Sequence, residues 1–344
     1  MFPTSFKRAL SGLCASALLV TFFVAGTPAV ASAAVPTCTP TGFVRDAIDL
    51  TAARINPAGT VSGDVDATGC NIGIYYGPAS HGKVSKATVH GANYFGIVNN
   101  GGHVDVVNST IRDIGEVPFN GAQHGVAVAF VQETPGSGSI TGNRIKNYQK
   151  GGIVVRGLGT TAKISDNNLS GLGPVDFIAQ NGIQVSDGAK ANVHENTVKG
   201  NSYTGDNLAS SAGILIFGGC ADYLNVMGIT IDKNVLDRND VGIYVFNADP
   251  SDSTCATASP LATNISVKDN KVSNKSVTNT SGWGAIGEAY QAGISDFGNH
   301  DSISKNKVCG IGYTPVASPP YLFFIDTTGA ISPKLSGNKT TTKC

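Results

Sequence analysis

Basic side chains able to move protons or pair with carboxylates gather in the middle of the chain. His124, Lys150 and Arg156 are the basic members, and Asp176 adds a carboxylate to the same stretch. Elimination on a uronic acid needs a base that removes a proton beside a carboxylate. It also needs cations that stabilise the enolate-like charge that follows. The predicted catalytic residues are therefore Lys150, Arg156, Asp176 and His124.

Amide and aromatic side chains accompany these ionisable groups at regular steps. Amides pair with sugar hydroxyls and rings pack on apolar sugar faces, so such a row suits an extended sugar chain. The predicted substrate-binding residues are Gln123, Gln180, Asn181, Gln184, Asp187 and Tyr244. Trp283, the only tryptophan, is a further candidate for stacking on a sugar. No metal ligand is assigned, although Asp176 or Asp187 could help to hold Ca²⁺.

The same inventory leaves two other functions open. A glycoside hydrolase needs two carboxyl groups, for which Asp176 with Asp187, or Asp240 with a neighbour, are candidates. A non-catalytic binding module or structural stalk would use the same row of side chains without chemistry. The lyase is slightly favoured because a neutral-sugar hydrolase would not require the ionisable cluster of Lys150, Arg156 and His124.

A short motif, Gly-Ile-x-Val or a close variant, shows which elements must position these residues. Its glycines are 27 to 31 residues apart, with one interval of 51. The motif begins at Gly96, Gly125, Gly152, Gly182, Gly213, Gly242 and Gly293. Because side chains alternate along a strand, the aliphatic positions are predicted to face a core and the glycines to face outward. The glycines would then form a floor without side chains beneath a trough.

A second column of polar residues lies between these strands. Each member is followed, two residues later, by an aliphatic residue, and nearly all are asparagine. The column runs through Ser109, Asn143, Asn167, Asn196, Asn234, Asn270 and Asn306. In stacked coils these amides would lie one above another at a spacing of roughly 4.8 Å and bond to one another. An asparagine ladder is predicted.

With these strands and this ladder, roughly residues 60–340 resemble the right-handed parallel β-helix superfamily. Its members include pectate lyases and many other polysaccharide lyases and glycoside hydrolases. The resemblance implies an all-β fold, a right-handed parallel β-helix or solenoid, and an extracellular polysaccharide as partner. It says little about the reaction, because scaffold and site are separable.

The predicted organisation has three parts: a secretory signal at residues 1–33, an N-terminal cap at 34–60 and the β-helix at 61–344. Within the cap, Phe43, Ala47, Ile48 and Ile55 recur at helical spacing, which predicts an amphipathic helix. No later segment is long and apolar enough to span a membrane. The mature protein is expected to be secreted, either extracellular or periplasmic.

The net charge limits which partners are plausible, and the cysteine content indicates the redox compartment. Without residues 1–33 the chain has 22 Lys and Arg against 24 Asp and Glu, so nothing electrostatic favours nucleic acid. Six cysteines then remain, which predicts disulfides in an oxidising compartment and allows fifteen pairings. Cys38–Cys70, Cys220–Cys255 and Cys309–Cys344 is the set that suits a solenoid, where neighbours in sequence are neighbours in space.

Overall fold

The strands of this protein form two long sheets. The computed structural model describes residues 37–131, 133–205, 209–220, 222–279, 289–316 and 320–344. The predicted signal sequence and Trp283 lie outside these ranges. Among the described residues, no helix is long and apolar enough to cross a membrane.

Sheet A has eleven strands in the described chain. In spatial order they are β1 (Thr39–Arg45), β2 (Ile48–Ile55), β4 (Ile72–Tyr76), β6 (Phe95–Asn99), β9 (Val126–Phe130), β12 (Gly151–Arg156), β15 (Asn181–Ser186), β18 (Ala212–Gly218), β21 (Val241–Asn247), β24 (Tyr290–Phe297) and β27 (Tyr321–Asp326). All of its pairings are parallel except that of β1 with β2.

Sheet B has eighteen strands in the described chain: one each from the first two coils, β3 and β5, and two from each later coil. They are β3 (Thr60–Asp66), β5 (His81–His90), β7 (His103–Val107), β8 (Thr110–Ile114), β10 (Ser137–Thr141), β11 (Arg144–Tyr148), β13 (Thr161–Ser165), β14 (Asn168–Val175), β16 (Lys190–His194), β17 (Thr197–Tyr203), β19 (Thr230–Asp232), β20 (Val235–Asp237), β22 (Ser266–Lys268), β23 (Lys271–Ser273), β25 (Ser302–Ser304), β26 (Lys307–Cys309), β28 (Lys334–Ser336) and β29 (Lys339–Thr341). A 3₁₀ turn covers Ile311–Tyr313.

Successive coils stack in register, as the repeat predicts. Ile153 of β12 pairs with Ile183 of β15, which pairs with Ile214 of β18. All three side chains are fully buried in one continuous core between the two sheets. The predicted fold, a right-handed parallel β-helix, is confirmed.

The asparagine ladder is confirmed and reaches one rung further than predicted, to Asn338. The Nδ2 of Asn143 donates to Oδ1 of Asn167 at 3.0 Å, and that of Asn167 donates to Oδ1 of Asn196 at 2.9 Å. Each Oδ1 also accepts the backbone N–H of the preceding rung, as Asn196 does from Asn167 at 3.1 Å. Buried amides are thereby satisfied along the whole corner between the paired strands of sheet B.

The predicted outward floor of glycines is wrong. A Cβ placed on Gly152 would lie 2.5 Å from the carbonyl oxygen of Gly182 and 2.6 Å from Cδ2 of Leu169, a core side chain. The glycine column therefore faces the interior, where the backbone bends too close to the next coil to admit a side chain. The register at Gly125 is also wrong, because Val126 pairs with Phe95 and places Ala127, not Gly125, next to Gly96.

The capping helix predicted within residues 34–60 is wrong as well. β1 and β2 form an antiparallel hairpin with a two-residue loop at Asp46 and Ala47, both at positive φ. The buried residues of β2, Leu50 and Ala52, follow the two-residue period of a strand. β2 pairs with β4, so the hairpin supplies hydrogen-bond partners to an edge that a helix could not pair with.

The three predicted disulfides are present. Cys38–Cys70, Cys220–Cys255 and Cys309–Cys344 have Cα–Cα distances of 5.3, 5.4 and 5.3 Å. Their sequence separations of 32, 35 and 35 residues correspond to about one coil each. They indicate an oxidising environment for the folded chain.

Candidate functional site

A cleft of about 320 Å³ lies on the outer face of sheet A, towards its N-terminal end. Its floor consists of outward side chains of β9 and β12, namely Val126, Ala129 and Val154. One wall is the turn between β1 and β2, and the other is the segment after β18, which brings Tyr223 over the cleft. Five predicted site residues line it: Gln123, His124, Lys150, Arg156 and Gln184.

Lys150 enters the cleft immediately before β12. Its Nζ donates to the backbone carbonyl of Ala179 at 2.9 Å, a neutral partner. Burial disfavours the ammonium form and lowers the pKa of Lys150 to about 8. A substantial fraction of the amine is therefore neutral at mildly alkaline pH, which is the form that a general base requires.

Arg156 is held in place at the other end of β12. Its Nε lies 3.3 Å from Oδ2 of Asp187, and its guanidinium carbon lies 4.2 Å from the centroid of the Tyr223 ring. Asp187 is buried and its Oδ1 also accepts the backbone N–H of Leu224 at 2.9 Å. Asp187 therefore positions Arg156 and the Tyr223 segment. It does not line the cleft, although it was predicted to bind substrate there.

His124 belongs to a unit that sequence reasoning missed. Its Nε2 lies 2.6 Å from Oε1 of Glu116, and its ring stacks on Tyr94 with centroids 3.8 Å apart. Glu116 is further held by Asn93, whose Nδ2 donates to Oε1 at 3.3 Å. Tyr94 precedes His124 by one coil period, since Phe95 pairs with Val126, so the repeat could have indicated it. Glu116 lies in the irregular segment between β8 and β9, which no repeat marks.

Two of the predicted substrate-binding amides serve the scaffold. Gln180 is fully buried, and its side chain donates to the carbonyls of Tyr148 and Gln149 and accepts from Leu172 N–H. It closes the turn before β15 and does not line the cleft. Asn181 lies beside the cleft, where its Nδ2 donates to Oε1 of Gln184 at 3.3 Å and orients that side chain.

Three carboxyl or phenol groups considered from the sequence are not brought to the cleft. Asp176 is exposed in the turn after β14 and is not among the lining residues. Tyr244 occupies the outward column two coils beyond Gln184, where it is buried against Phe246. Asp240 is fully buried and accepts hydrogen bonds from Ser202, Tyr203 and Ser211.

The residues proposed for Ca²⁺ do not fit that ion. The carboxylate of Asp187 is buried and already accepts from Arg156 and from Leu224 N–H, whereas Asp176 is exposed outside the cleft. Within the ranges that the structure describes, no three His, Cys, Asp or Glu side chains gather as a metal site. We therefore assign no step of a reaction to calcium.

Comparison with known proteins agrees with this architecture. Residues 63–250, more than half of the chain, match the family described as "Right handed beta helix region". The chain belongs to this family. No curated protein matches it in sequence.

Proposed function

We propose that the protein is a polysaccharide lyase that acts at the sheet A cleft on an extracellular polymer containing uronic acid. The observation that carries the proposal is the position of Lys150, a half-buried residue with a lowered pKa, in one cleft with Arg156 and His124. A base and cations are the two requirements of β-elimination next to a carboxylate.

In the proposed step, Arg156 pairs with the carboxylate of the sugar and stabilises the negative charge that develops there. The neutral amine of Lys150 removes the proton on the carbon next to that carboxylate. The electron pair left behind forms a carbon–carbon double bond as the bond to the glycosidic oxygen breaks. That oxygen takes a proton, for which His124, held by Glu116, is the proposed donor.

Product analysis tests this proposal. The mature protein is incubated with uronate polymers and with neutral polymers, with and without calcium. An unsaturated product absorbs in the ultraviolet and is the expected result with a uronate polymer. Lys150→Gln and Arg156→Gln should abolish the absorbance, whereas Lys190→Gln, an exposed lysine of β16, should leave it unchanged. Full activity in both cleft variants would overturn the assignment.

A glycoside hydrolase is the second candidate, because carboxylates also border the cleft. Asp46 lines it and bonds to Tyr94 across 3.5 Å, while Glu116 bonds to His124. New reducing ends without ultraviolet absorbance, lost in Asp46→Asn or Glu116→Gln, would favour this function. Binding without any product would favour a non-catalytic module.

A further inference from the structure

The outer face of sheet B changes character in its last three coils. Segments 266–275, 302–309 and 334–343 contain eight lysines and one acidic residue, Asp269. The segments in register with them in the five preceding coils, from 105–114 to 230–239, contain seven Lys or Arg and six acidic residues. The near-zero net charge of the whole chain therefore hides a strongly cationic surface. We call the lysines of the three segments the lysine face.

A column of like charges runs through the middle of this face. Lys271 of β23 pairs in register with Lys307 of β26, which pairs in register with Lys339 of β29. All three side chains are exposed, and the strand spacing of roughly 4.8 Å makes them close neighbours. None of the three takes part in an ion pair within the described part of the chain.

Fold stability does not require this arrangement. Like charges directly opposite each other on neighbouring strands are destabilising. Lysine does protect exposed sheet edges from unwanted pairing, but Lys271 and Lys307 lie on strands that are paired on both sides. Earlier coils place Thr197 and Val235 in the same column. Fold stability therefore does not explain the lysine column, whereas a partner with negative charges at regular intervals does.

We propose that the lysine face binds a linear acidic polysaccharide lying along the solenoid axis, with its carboxylates over the column Lys271, Lys307 and Lys339. The three segments contain no arginine, whose rigid fork suits bidentate recognition of phosphate. They also contain no aromatic residue on which a nucleic-acid base could stack. Hydrated lysine ammonium groups suit carboxylates whose exact orientation is not fixed.

This surface is distinct from the cleft, which lies on sheet A, and the proposal does not require that the cleft be catalytic. If both proposals hold, the lysine face would keep a polymer attached while the cleft acts on it. Attachment at a second site raises the effective concentration of polymer without any new contact in the cleft.

Electrophoresis of the full mature chain in native gels tests the proposal, with polygalacturonate or neutral dextran cast in the gel and mobility compared with a polymer-free gel. Polygalacturonate should retard the protein, and added salt should relieve the retardation. Lys271→Gln/Lys307→Gln/Lys339→Gln should weaken binding by about tenfold. The control Lys83→Gln/Lys163→Gln/Lys190→Gln removes equal charge from exposed lysines of sheet B that have no lysine in register. It should change binding little.

Several outcomes would overturn the proposal. Equal weakening in both triple variants would mean that only net charge matters, and equal retardation by dextran would exclude carboxylate recognition. Tighter binding of single-stranded DNA than of polygalacturonate would assign the face to nucleic acid. Should the triple variant not fold, the single variants Lys307→Gln and Lys163→Gln give the same comparison.

The two proposals can fail separately. Lys150→Gln should abolish elimination and keep the retardation in polygalacturonate gels. The triple variant of the lysine column should keep the elimination rate on a short oligouronate that cannot reach both sites. Loss of both properties in either variant would contradict the separation of the two surfaces.

Discussion

The two outer faces of this solenoid place charge in opposite ways. On sheet A, groups of different sign and chemistry converge in one cleft, and each is held by a specific partner, as Asp187 holds Arg156 and Glu116 holds His124. On the lysine face of sheet B, one residue type repeats in register, and the column Lys271, Lys307 and Lys339 has no ion-pair partner among the described residues. Convergence suits chemistry on one sugar unit, whereas repetition suits contact with many units of a polymer.

The difference arises from how each face is built. The cleft depends on irregular segments, since its walls are the β1–β2 turn and the Tyr223 segment that the Cys220–Cys255 disulfide ties to a later loop. The lysine face depends only on strand register, so any side chain type that recurs at the coil period becomes a column. A solenoid thus obtains a diverse site from its loops and a uniform surface from its strands.

The largest expected effect lies in the cleft. Lys150→Arg keeps the positive charge but removes a base that can be neutral, so the elimination rate should fall by roughly 10²–10⁴-fold. In the unmodified protein, the rate should rise with pH through about 8, because the lowered pKa of Lys150 releases the active amine there. Rate–pH profiles from pH 6 to 10 measure both effects. Polygalacturonate binding by the lysine face should be the same in Lys150→Arg as in the unmodified protein.

A change in the ladder should affect both faces together. Asn196→Ala leaves the buried N–H groups of Asn167 without their acceptor, which should reduce the free energy of unfolding by about 2–4 kcal/mol. Asn192→Ala, on the exposed side of β16, should change it little. Denaturant unfolding measures the difference. An unaffected stability in Asn196→Ala would show that the ladder does not hold the coils in register.

A smaller effect is expected where a cleft residue acts through another. Glu116→Gln keeps the shape of the partner of His124 but removes its charge, so the elimination rate should fall by about tenfold. Glu133→Gln is the matched control, because Glu133 pairs with Arg45 at the cleft's outer wall. The pH profile should change shape only in Glu116→Gln. An identical change in both variants would show that Glu116 acts only through its negative charge near the cleft and not through its contact with His124.

The smallest expected effect concerns the stability of the coil that contains segment 302–309 of the lysine face, compared with the coils of the cleft. Asp296 of β24 and Asp301 before β25 are buried, and burial together with the neighbouring Asp301 carboxylate raises the pKa of Asp296. Burial likewise raises the pKa of Asp301, while Asp326 and His300 act more weakly on the pair. The folded chain thus keeps a proton that the unfolded chain releases above about pH 4.

The stability that this proton provides is complete at pH values below the unfolded pKa and is lost as the pH rises through the raised folded pKa. The melting temperature should therefore fall between pH 5 and 9, and in Asp296→Asn this decrease should be smaller by a few degrees. Hydrogen exchange should locate the loosening at alkaline pH in β24 and β25 and not in β9 and β12. Uniform loosening would contradict the regional difference.

Much of the scaffold follows from local patterns. Gly-Ile-x-Val strands and asparagines at the coil period predict which residues stack, because every coil repeats the same neighbours. The predictions failed where this repetition stops or where the backbone bends. Gly152 was predicted to face outward because simple alternation ignores the bend that turns it inward. The helix predicted at Phe43–Ile55 is a hairpin because an open sheet edge takes precedence over a short helical pattern.

The cleft was predicted only in part. Gln123, His124, Lys150, Arg156 and Gln184 meet there because they occupy adjacent outward columns of neighbouring coils. Gln180 and Tyr244 belong to the same repeats, but one closes a turn and the other is buried beneath neighbouring side chains. Register predicts which coil a residue occupies, whereas loops that cover a face decide whether the residue reaches solvent.

The sequence alone determined the solenoid and its ladder and favoured the observed disulfide pairs, because these depend on contacts between repeats at a nearly constant separation. Only the tertiary structure decided that Glu116 and Tyr94 hold His124, that Asp187 holds Arg156 and that Lys150 is buried enough for its pKa to fall. Asp187 and Tyr94 lie one coil away from Arg156 and His124, but the turns beside the strands decide whether the side chains meet, and desolvation depends on every atom around a group. Neither property is encoded in a short stretch of sequence.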